Sequence, residues 1–172
     1  MQVTARTARL SELPTLRRFE QGIVAAERPF DPTLLPDPIA YHDFESLMDS
    51  PDAEVAVAEI ARTEKAKAKT AGVKTAKADS VLVGCGFAVK KASRHYTEPS
   101  FHAHFGCMFV EPEFRGKGVN QAILRHLVSW AKSMGLLETR LTVYPENAAA
   151  VRAYEKAGFA AHLLEMRMRI PE

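Results

Sequence analysis

The spacing of apolar residues in the first quarter of the chain predicts one strand and two helices. Residues 2–7 alternate between polar and apolar side chains, which is the period of a strand. Apolar side chains then recur at helical spacing at Leu13, Leu16, Ile23 and Ala26. We expect Ser11 to cap this helix and the helix to end near residue 28, because four prolines follow within residues 28–38. A second, short helix is predicted over residues 39–48.

Three strand patterns occupy the middle of the chain, at residues 54–60, 80–92 and 102–110. The connector at 61–79 is rich in lysine and alanine and has little to bury, so we interpret it as a solvated hairpin loop. Its lysines raise nucleic-acid binding as an alternative. We disfavour that alternative because the segment has no aromatic side chain on which bases could stack.

The last third of the chain alternates between helix and strand patterns. An apolar stripe predicts a helix over residues 118–134, and Gly135 follows at the position typical of a C-terminal glycine. A strand at 137–145, a helix at 147–157 and a strand at 162–170 complete the order. This series predicts an α/β fold class, with a mixed sheet of the α+β kind and helices on both faces.

Composition and charge narrow the possible functions. A chain of 172 residues with 47% hydrophobic residues can bury a single core, so one domain, residues 1–172, is expected. Because 23 basic residues nearly balance 21 acidic ones, no nucleic acid and no membrane is expected as a partner. Cys85 and Cys107 are too few for a secreted disulfide framework, and no apolar run reaches the roughly 18 residues of a membrane span. A cytoplasmic location is expected.

Two glycines flank one lysine in the motif RGKGVN, residues 115–120, between a predicted strand and a predicted helix. Glycines at such a turn let backbone N–H groups approach a phosphate closely. The motif is not the phosphate loop of nucleotide hydrolases, because Gly118 stands where Ser or Thr must follow the lysine. It is not a dinucleotide fingerprint either, because Gln121 stands where the third glycine is required.

A second motif, NAAAVRAYEKAGF, occupies residues 147–159. Together the two motifs resemble the GNAT superfamily of acetyl-CoA-dependent N-acetyltransferases. The places that match the family's acetyl-CoA loop are Arg115, Gly118 and Asn120. The places that match the later motif are Asn147, Tyr154, Gly158 and Phe159. The chain departs from the family at Asn120, where glycine or alanine is usual, although an asparagine amide can itself donate to a phosphate.

The resemblance implies a fold, a cosubstrate and a reaction. The fold is GNAT-like, with a central mixed, mostly antiparallel sheet flanked by helices on both faces. The reaction is direct transfer of the acetyl group of acetyl-CoA to a primary amine, with no metal and no acylated protein. The pantetheine arm is expected beside the strand that ends at Val110. The residues implied to bind acetyl-CoA are Met108, Phe109, Val110, Arg115, Gly116, Lys117, Gly118, Val119, Asn120 and Asn147.

The resemblance implies that Tyr154 is the general acid that protonates the departing thiolate. Tyr154 follows Asn147 by two helical turns, so both side chains are expected on one helix face. The alternatives are a tyrosine packed in the core and an asparagine that only caps its helix. Cys107 is interpreted as a small buried hydrophobe and not as a nucleophile, because the nearby sequence offers no dedicated base.

The acceptor is expected to be an amine of a small molecule or a peptide. The sequence leaves the general base open among His102, His104, Glu20, Glu27 and Glu111. By resemblance, the loop between the first two helices forms one wall of the acceptor pocket. Glu27, Asp31 and Asp37 would make that wall acidic, which suits a cationic amine. Metal binding by His102 and His104 is not expected, because no third ligand is evident.

Two other classes of function are kept as alternatives. A non-catalytic CoA-binding or regulatory module would keep the glycine loop without a working acceptor site. A nucleic-acid-associated protein would use the lysine-rich segment. An exposed edge of the mixed sheet and the alternating C-terminal segment leave a homodimer open.

Overall fold

Five strands in one mixed sheet organise the part of the chain that the computed structural model describes, residues 2–61 and 80–170. The strands are β1 Val3–Thr7, β2 Ala53–Ala61, β3 Ser80–Ala92, β4 Phe101–Val110 and β5 Thr139–Arg140. The helices are α1 Leu13–Glu27, α2 Phe44–Asp49, α3 Val119–Ser133 and α4 Ala148–Lys156. Single 3-10 turns precede α1 at Leu10–Glu12 and follow β4 at Pro112–Phe114. The connector interpreted as a hairpin loop at 61–79 lies, after its first residue, outside the described residues.

The strand order across the sheet is the order along the chain, β1-β2-β3-β4-β5. The first four strands pair antiparallel, and β5 pairs parallel to β4. This confirms the expected mixed, mostly antiparallel sheet. The pairing of β4 with β5 covers only Ala103 with Thr139 and His104 with Arg140. Beyond His104, therefore, β4 continues for six residues with an unpaired edge among the described strands.

Helices cover both faces of the sheet, as the sequence predicted. On one face α3 packs Ile123 and Leu127 against Phe105 of β4 in a buried cluster. On the other face α1 packs Leu16 and Phe19 in a second buried cluster, together with side chains from α2, β3 and β4. The two clusters fix the sheet between α3 and the α1–α2 pair.

A β-bulge in β4 changes which face its side chains meet. Cys85 lies opposite Phe109, but Phe87 lies opposite Gly106, so β4 contains one extra residue at this point. Cys107 lies in this bulge and has a positive φ of 51°. As a result Phe105 and Cys107 pack on opposite faces, although strict alternation would place them on the same one.

The starts of both N-terminal helices differ from the prediction. Ser11 does not cap α1; it lies inside the 3-10 turn, where Arg9 donates its backbone N–H to the Glu12 carboxylate at 2.8 Å. The second helix begins at Phe44 and not at residue 39. Asp43 caps it, and the backbone N–H groups just before Asp43 donate to a side chain of α1 instead of starting a helix.

Two strand predictions in the C-terminal third are wrong. Of residues 137–145 only Thr139 and Arg140 pair with a neighbour, and residues 162–170 form no strand among the described residues. Alternation predicts a strand only where an edge is available in register, and the chain leaves β4 after Arg140. The apolar side chains of the last segment consequently stay exposed, with Met166 at 87% and Ile170 at 85%.

Candidate active site

The glycine loop after β4 has the backbone geometry of an anion site. Gly116 and Gly118 have φ angles of 72° and 82°, which glycine adopts at little cost, and Gly118 caps α3. Within the described residues, the N–H groups of Gly116, Lys117 and Gly118 donate no hydrogen bond. The N–H groups of the first turn of α3 also lack a helical acceptor. Together they leave a set of donors at the positive end of a helix dipole.

The side chains of this loop fall into two groups. Val119 is buried at 1% exposure and anchors α3 in the core, so only its backbone is available to a ligand. Arg115 and Lys117 are exposed. The Arg115 Nε donates to the carbonyl of Val110 at 3.2 Å, and the Lys117 ammonium lies 5.4 Å from the centre of the Phe114 ring. Both cations therefore stay beside the loop with their charges open to solvent. Asn120, at the first turn of α3, is half-buried.

The unpaired part of β4 ends directly at this loop. Met108 turns its side chain toward α3, and Phe109 turns its ring under α1, 5.1 Å from the ring of Phe19. A Cβ at Gly22 would lie 2.4 Å from that ring, so α1 packs directly on the strand. Because the side chains point to the two faces, the edge itself offers main-chain groups to an extended ligand.

Helix α4 carries the second motif. The Asn147 side-chain oxygen accepts from the Ala150 N–H at 3.2 Å, so this residue caps the helix. Tyr154 is half-buried against Phe159, at 6.0 Å between ring centres, and Phe159 lies 6.2 Å from Phe105 of β4. Burial, assisted by the charge of Glu27, raises the pKa of Tyr154 to about 12. Its hydroxyl is therefore protonated at neutral pH.

The three acids predicted to line the acceptor wall have different environments. Asp31 is buried, and the Arg167 guanidinium and the Tyr144 hydroxyl reach its carboxylate at 3.0 and 3.1 Å. Hydrogen bonds from the Thr33 side chain and backbone, joined by those from Arg167 and Tyr144, hold the pKa of Asp31 well below its usual range. Asp37 pairs with Arg28 at 2.5 Å.

Glu27 is the member of the acidic wall that has no cation beside it among the described residues. Its carboxylate accepts a hydrogen bond from the Tyr41 hydroxyl at 3.3 Å. Burial raises the pKa of Glu27, the Tyr41 hydrogen bond opposes this, and the charge of Asp31 adds to the rise. The wall is thus less acidic than the sequence suggested, with one carboxylate available to a ligand.

The histidines of β4 are poor candidates for a base at neutral pH. Burial lowers the pKa of His104 to about 4. His102 is buried, lies 3.1 Å from the Ser93 hydroxyl, and also has a pKa lowered mainly by burial. Glu111 forms an ion pair with Arg18 at 2.5 Å.

Glu20 is buried and contacts His42, a residue that the sequence analysis missed. The His42 Nδ1 lies 2.9 Å from a carboxylate oxygen of Glu20. The signal that could have found this pair was Glu20 itself, since a carboxylate on the apolar face of a helix requires a polar partner. The position of that partner in a proline-rich loop could not be read from spacing.

The two cysteines are free and buried, with 3.9 Å between their sulfur atoms. A hydrogen bond with Cys85, together with burial, raises the pKa of Cys107 well above its ordinary value, although the nearby His42 works against this. Cys107 is therefore a protonated thiol at neutral pH, and a thiol is a much weaker nucleophile than a thiolate.

Residues 2–61 and 80–170 contain no group of three or more His, Cys, Asp or Glu side chains placed to hold a metal ion. Among the helices of those same ranges, none has the length and apolar character needed to cross a membrane.

A sequence profile of the acetyltransferase (GNAT) family matches residues 38–159. That range contains the glycine loop, the unpaired edge of β4 and the whole second motif, residues 147–159. The uncharacterized N-acetyltransferase YobR of Bacillus subtilis is 45% identical over 51 residues, which cover 30% of this chain and 21% of that protein. The ribosomal protein bS18-alanine N-acetyltransferase of Salmonella typhimurium is 36% identical over 50 residues, covering 29% of this chain and 34% of that protein. These matches span about a fifth to a third of the relatives.

Among solved structures, the fold is similar to that of AAC(6')-Iy in complex with the bisubstrate analog CoA-S-monomethyl-acetylneamine. The TM-score is 0.67 with 18% sequence identity, over 99% of this chain and 100% of that chain. At this identity the likeness concerns the fold.

Proposed function

From the premise that this chain belongs to the GNAT acetyltransferase family, we propose that it transfers the acetyl group of acetyl-CoA directly to a primary amine of a small molecule or a peptide. The observation that carries the proposal is a strand with an unpaired edge that ends in a loop of free N–H donors. In acetyl-CoA the thioester is followed by a long pantetheine arm and then by a pyrophosphate. The strand edge suits the arm, and the loop that follows it suits the pyrophosphate. The acceptor named for one relative, an alanine of ribosomal protein bS18, is consistent with an amine acceptor.

The residues of the glycine loop fit the charged end of acetyl-CoA. We assign the pyrophosphate to the N–H groups of residues 116–120, with Arg115 and Lys117 as exposed cations beside it. Each hydrogen bond to such a charged group contributes about 1.5–3 kcal/mol net. The open edge of β4 at Met108, Phe109 and Val110 would bind the pantetheine amides through main-chain groups. The Asn147 side-chain oxygen already caps α4, so its contribution would come from the remaining amide hydrogens.

Tyr154 is proposed as the donor to the departing thiolate. With a pKa of about 12 it carries its proton throughout the neutral range. Complete transfer of that proton to a thiolate of pKa about 8.5 would be uphill by roughly 5 kcal/mol. The contribution expected of Tyr154 is therefore a hydrogen bond that strengthens as negative charge develops on sulfur.

The half-buried Glu27 indicates the class of acceptor. A carboxylate without a cationic partner beside the donor tyrosine attracts a positively charged amine. Such an amine must lose a proton before it can attack, at a cost of about 4.6 kcal/mol at pH 7 for a lysine-like group. The protonated Cys107 thiol supports direct attack by the amine on the thioester, with no acyl-protein step.

A thiol-release assay against a panel of amines tests the proposed function. Purified protein and acetyl-CoA are incubated with monoamines, diamines, polyamines, amino acids and short peptides, and free CoA thiol is followed with time. We expect release with primary amines that are cationic at neutral pH, and none with their N-acetylated forms. If acetyl-CoA binds but no amine releases thiol, the chain is a CoA-binding or regulatory module, and the proposed function is wrong.

A further inference from the structure

A buried carboxylate holds one histidine in a fixed orientation on the acceptor side of the sheet. Glu20 of α1 is only 2% exposed. One of its oxygens accepts from the backbone N–H of Tyr41 at 3.1 Å and from the backbone N–H of His42 at 2.8 Å, and it lies 2.9 Å from the His42 Nδ1. These three contacts fix both the loop and the imidazole ring. Because an ionised carboxylate only accepts hydrogen bonds, Nδ1 carries the proton and donates it.

The ring of His42 packs on the α1 face of the sheet. It meets the ring of Phe87 edge-on at 4.8 Å between centres and lies 5.9 Å from the ring of Phe44. It also lies close enough to Cys107, at the bulge of β4, for each residue to affect the pKa of the other. With Nδ1 committed to Glu20, the nitrogen available toward β4 is Nε2. The ring that carries it lies beside β4, the strand whose open edge is assigned to the pantetheine arm.

We propose that His42 is the general base that deprotonates the acceptor amine, held in position by Glu20. The inference rests on the proposed function, and it names the residue that the sequence left open. A carboxylate that fixes the tautomer and a second ring nitrogen left without a partner in the described residues are the two parts of an oriented base. Of the ionisable groups packed near the bulge, His42 alone combines them in the described residues.

The proton balance of the step is simple. The cationic amine gives one proton to Nε2 of His42, and its lone pair forms the C–N bond to the thioester carbonyl carbon. The C–S bond breaks, and the thiolate departs beside the Tyr154 hydroxyl. The nitrogen loses a second proton, which ends on the CoA thiol, and the imidazolium releases the first to water. One free amine cation and acetyl-CoA thus give an amide, CoA thiol and one proton.

Several charged or titratable groups face His42 and determine the pH range in which its imidazole is neutral. Burial lowers its pKa, but the neighbouring Cys107 and the hydrogen bond with Glu20 outweigh burial, so the pKa of His42 lies above its ordinary value. From β4, His104 faces it and is neutral at pH 7, because burial lowers the pKa of His104 to about 4. From α1, Glu27 approaches through its hydrogen bond with Tyr41. His42 acts as a base only when neutral, so the rate should fall as pH drops through its raised pKa.

The test compares wild type with His42→Gln on two acceptors, one cationic at the assay pH and one already neutral there. Glutamine keeps a donor for Glu20 and most of the ring's volume. For the cationic amine we expect kcat/KM to fall about 100-fold at pH 7, the lower end of what a general base contributes, and the acid limb of the pH profile to disappear. For the neutral amine we expect little change. Glu20→Gln, which removes the charge but keeps an acceptor, should move the acid limb of the profile to lower pH.

The two acceptors separate catalysis from structure. An equal fall for both amines, or an unchanged pH profile in an active His42→Gln protein, would overturn the inference alone. A wild-type protein that acetylates neither amine would overturn the proposed function and this inference with it. Acetyl-CoA affinity and the thermal unfolding midpoint, measured on the same samples, should match wild type if His42 acts in the proton transfer.

Discussion

Replacing Tyr154 with phenylalanine should lower kcat by about 10²–10³-fold while leaving the Kd for acetyl-CoA unchanged. The phenyl ring keeps the contact with Phe159 that positions α4, and only the hydroxyl is lost. That hydroxyl is assigned to the sulfur of the leaving group, where charge appears only as the C–S bond breaks. An interaction that exists only in the transition state is lost from kcat and not from binding.

The leaving group provides a second test of this role. A thioester of a more acidic thiol needs less help to depart, so the Tyr154→Phe protein should lose much less activity with it than with acetyl-CoA. Tyr96→Phe is the matched control, because Tyr96 is 68% exposed. If kcat of the Tyr154→Phe protein equals that of the control with both thioesters, Tyr154 has no part in the chemistry.

Gly118→Val should weaken acetyl-CoA binding by roughly 10²–10⁴-fold, equivalent to two lost hydrogen bonds to the pyrophosphate at about 1.5–3 kcal/mol each. An added Cβ would meet nothing within 4 Å, so space is not the obstacle. The obstacle is the φ of 82°, which a β-branched residue strongly disfavours. The loop would change conformation, and the N–H groups of Gly116 and Lys117 would no longer converge with those of α3.

The chain offers a control at the other end of the same helix. Gly135 has a φ of 70° and also has nothing within 4 Å of an added Cβ. Gly135→Val should therefore cost similar stability without touching the cofactor loop. Calorimetric titration of acetyl-CoA into both variants decides the matter. Equal affinities in the two variants would mean that the loop does not bind the pyrophosphate.

The features predicted well from sequence are those set by local rules. The glycine motif, the helix after it and Gly135 at its end all depend on backbone preferences within a few residues. The exact bounds of β3, residues 80–92, follow from an apolar run closed by polar residues at both sides. The order of elements then limited the topology to a mixed sheet with helices on both faces.

The features missed depend on pairs distant in the chain. The strand expected at 162–170 has the right alternation but no partner edge, and Arg167 is instead drawn to Asp31, 136 residues away. That ion pair also removed one carboxylate from the predicted acidic wall. The bulge at Cys107 could not be seen, because it depends on register with β3.

The site residues remain a proposal, and the sequence could name only some of them. The resemblance implied the loop, the edge of β4 and Tyr154, but it could not imply the base, which depends on the acceptor. Glu20 and His42 meet only because the loop between α1 and α2 folds back onto α1. The burial of Glu20 explains both the late start of α2 and the fixed imidazole.

A single-turnover experiment with acetyl-CoA labelled in its acetyl group tests the central claim most directly. Protein in excess over labelled acetyl-CoA is mixed with a primary amine that releases thiol, and both the amine and the intact protein are followed by mass spectrometry. We expect label to leave CoA only when the amine is present and to pass to the amine nitrogen, with no labelled protein at any time. Label that first accumulates on Cys107, or that remains on CoA with every amine, would contradict it.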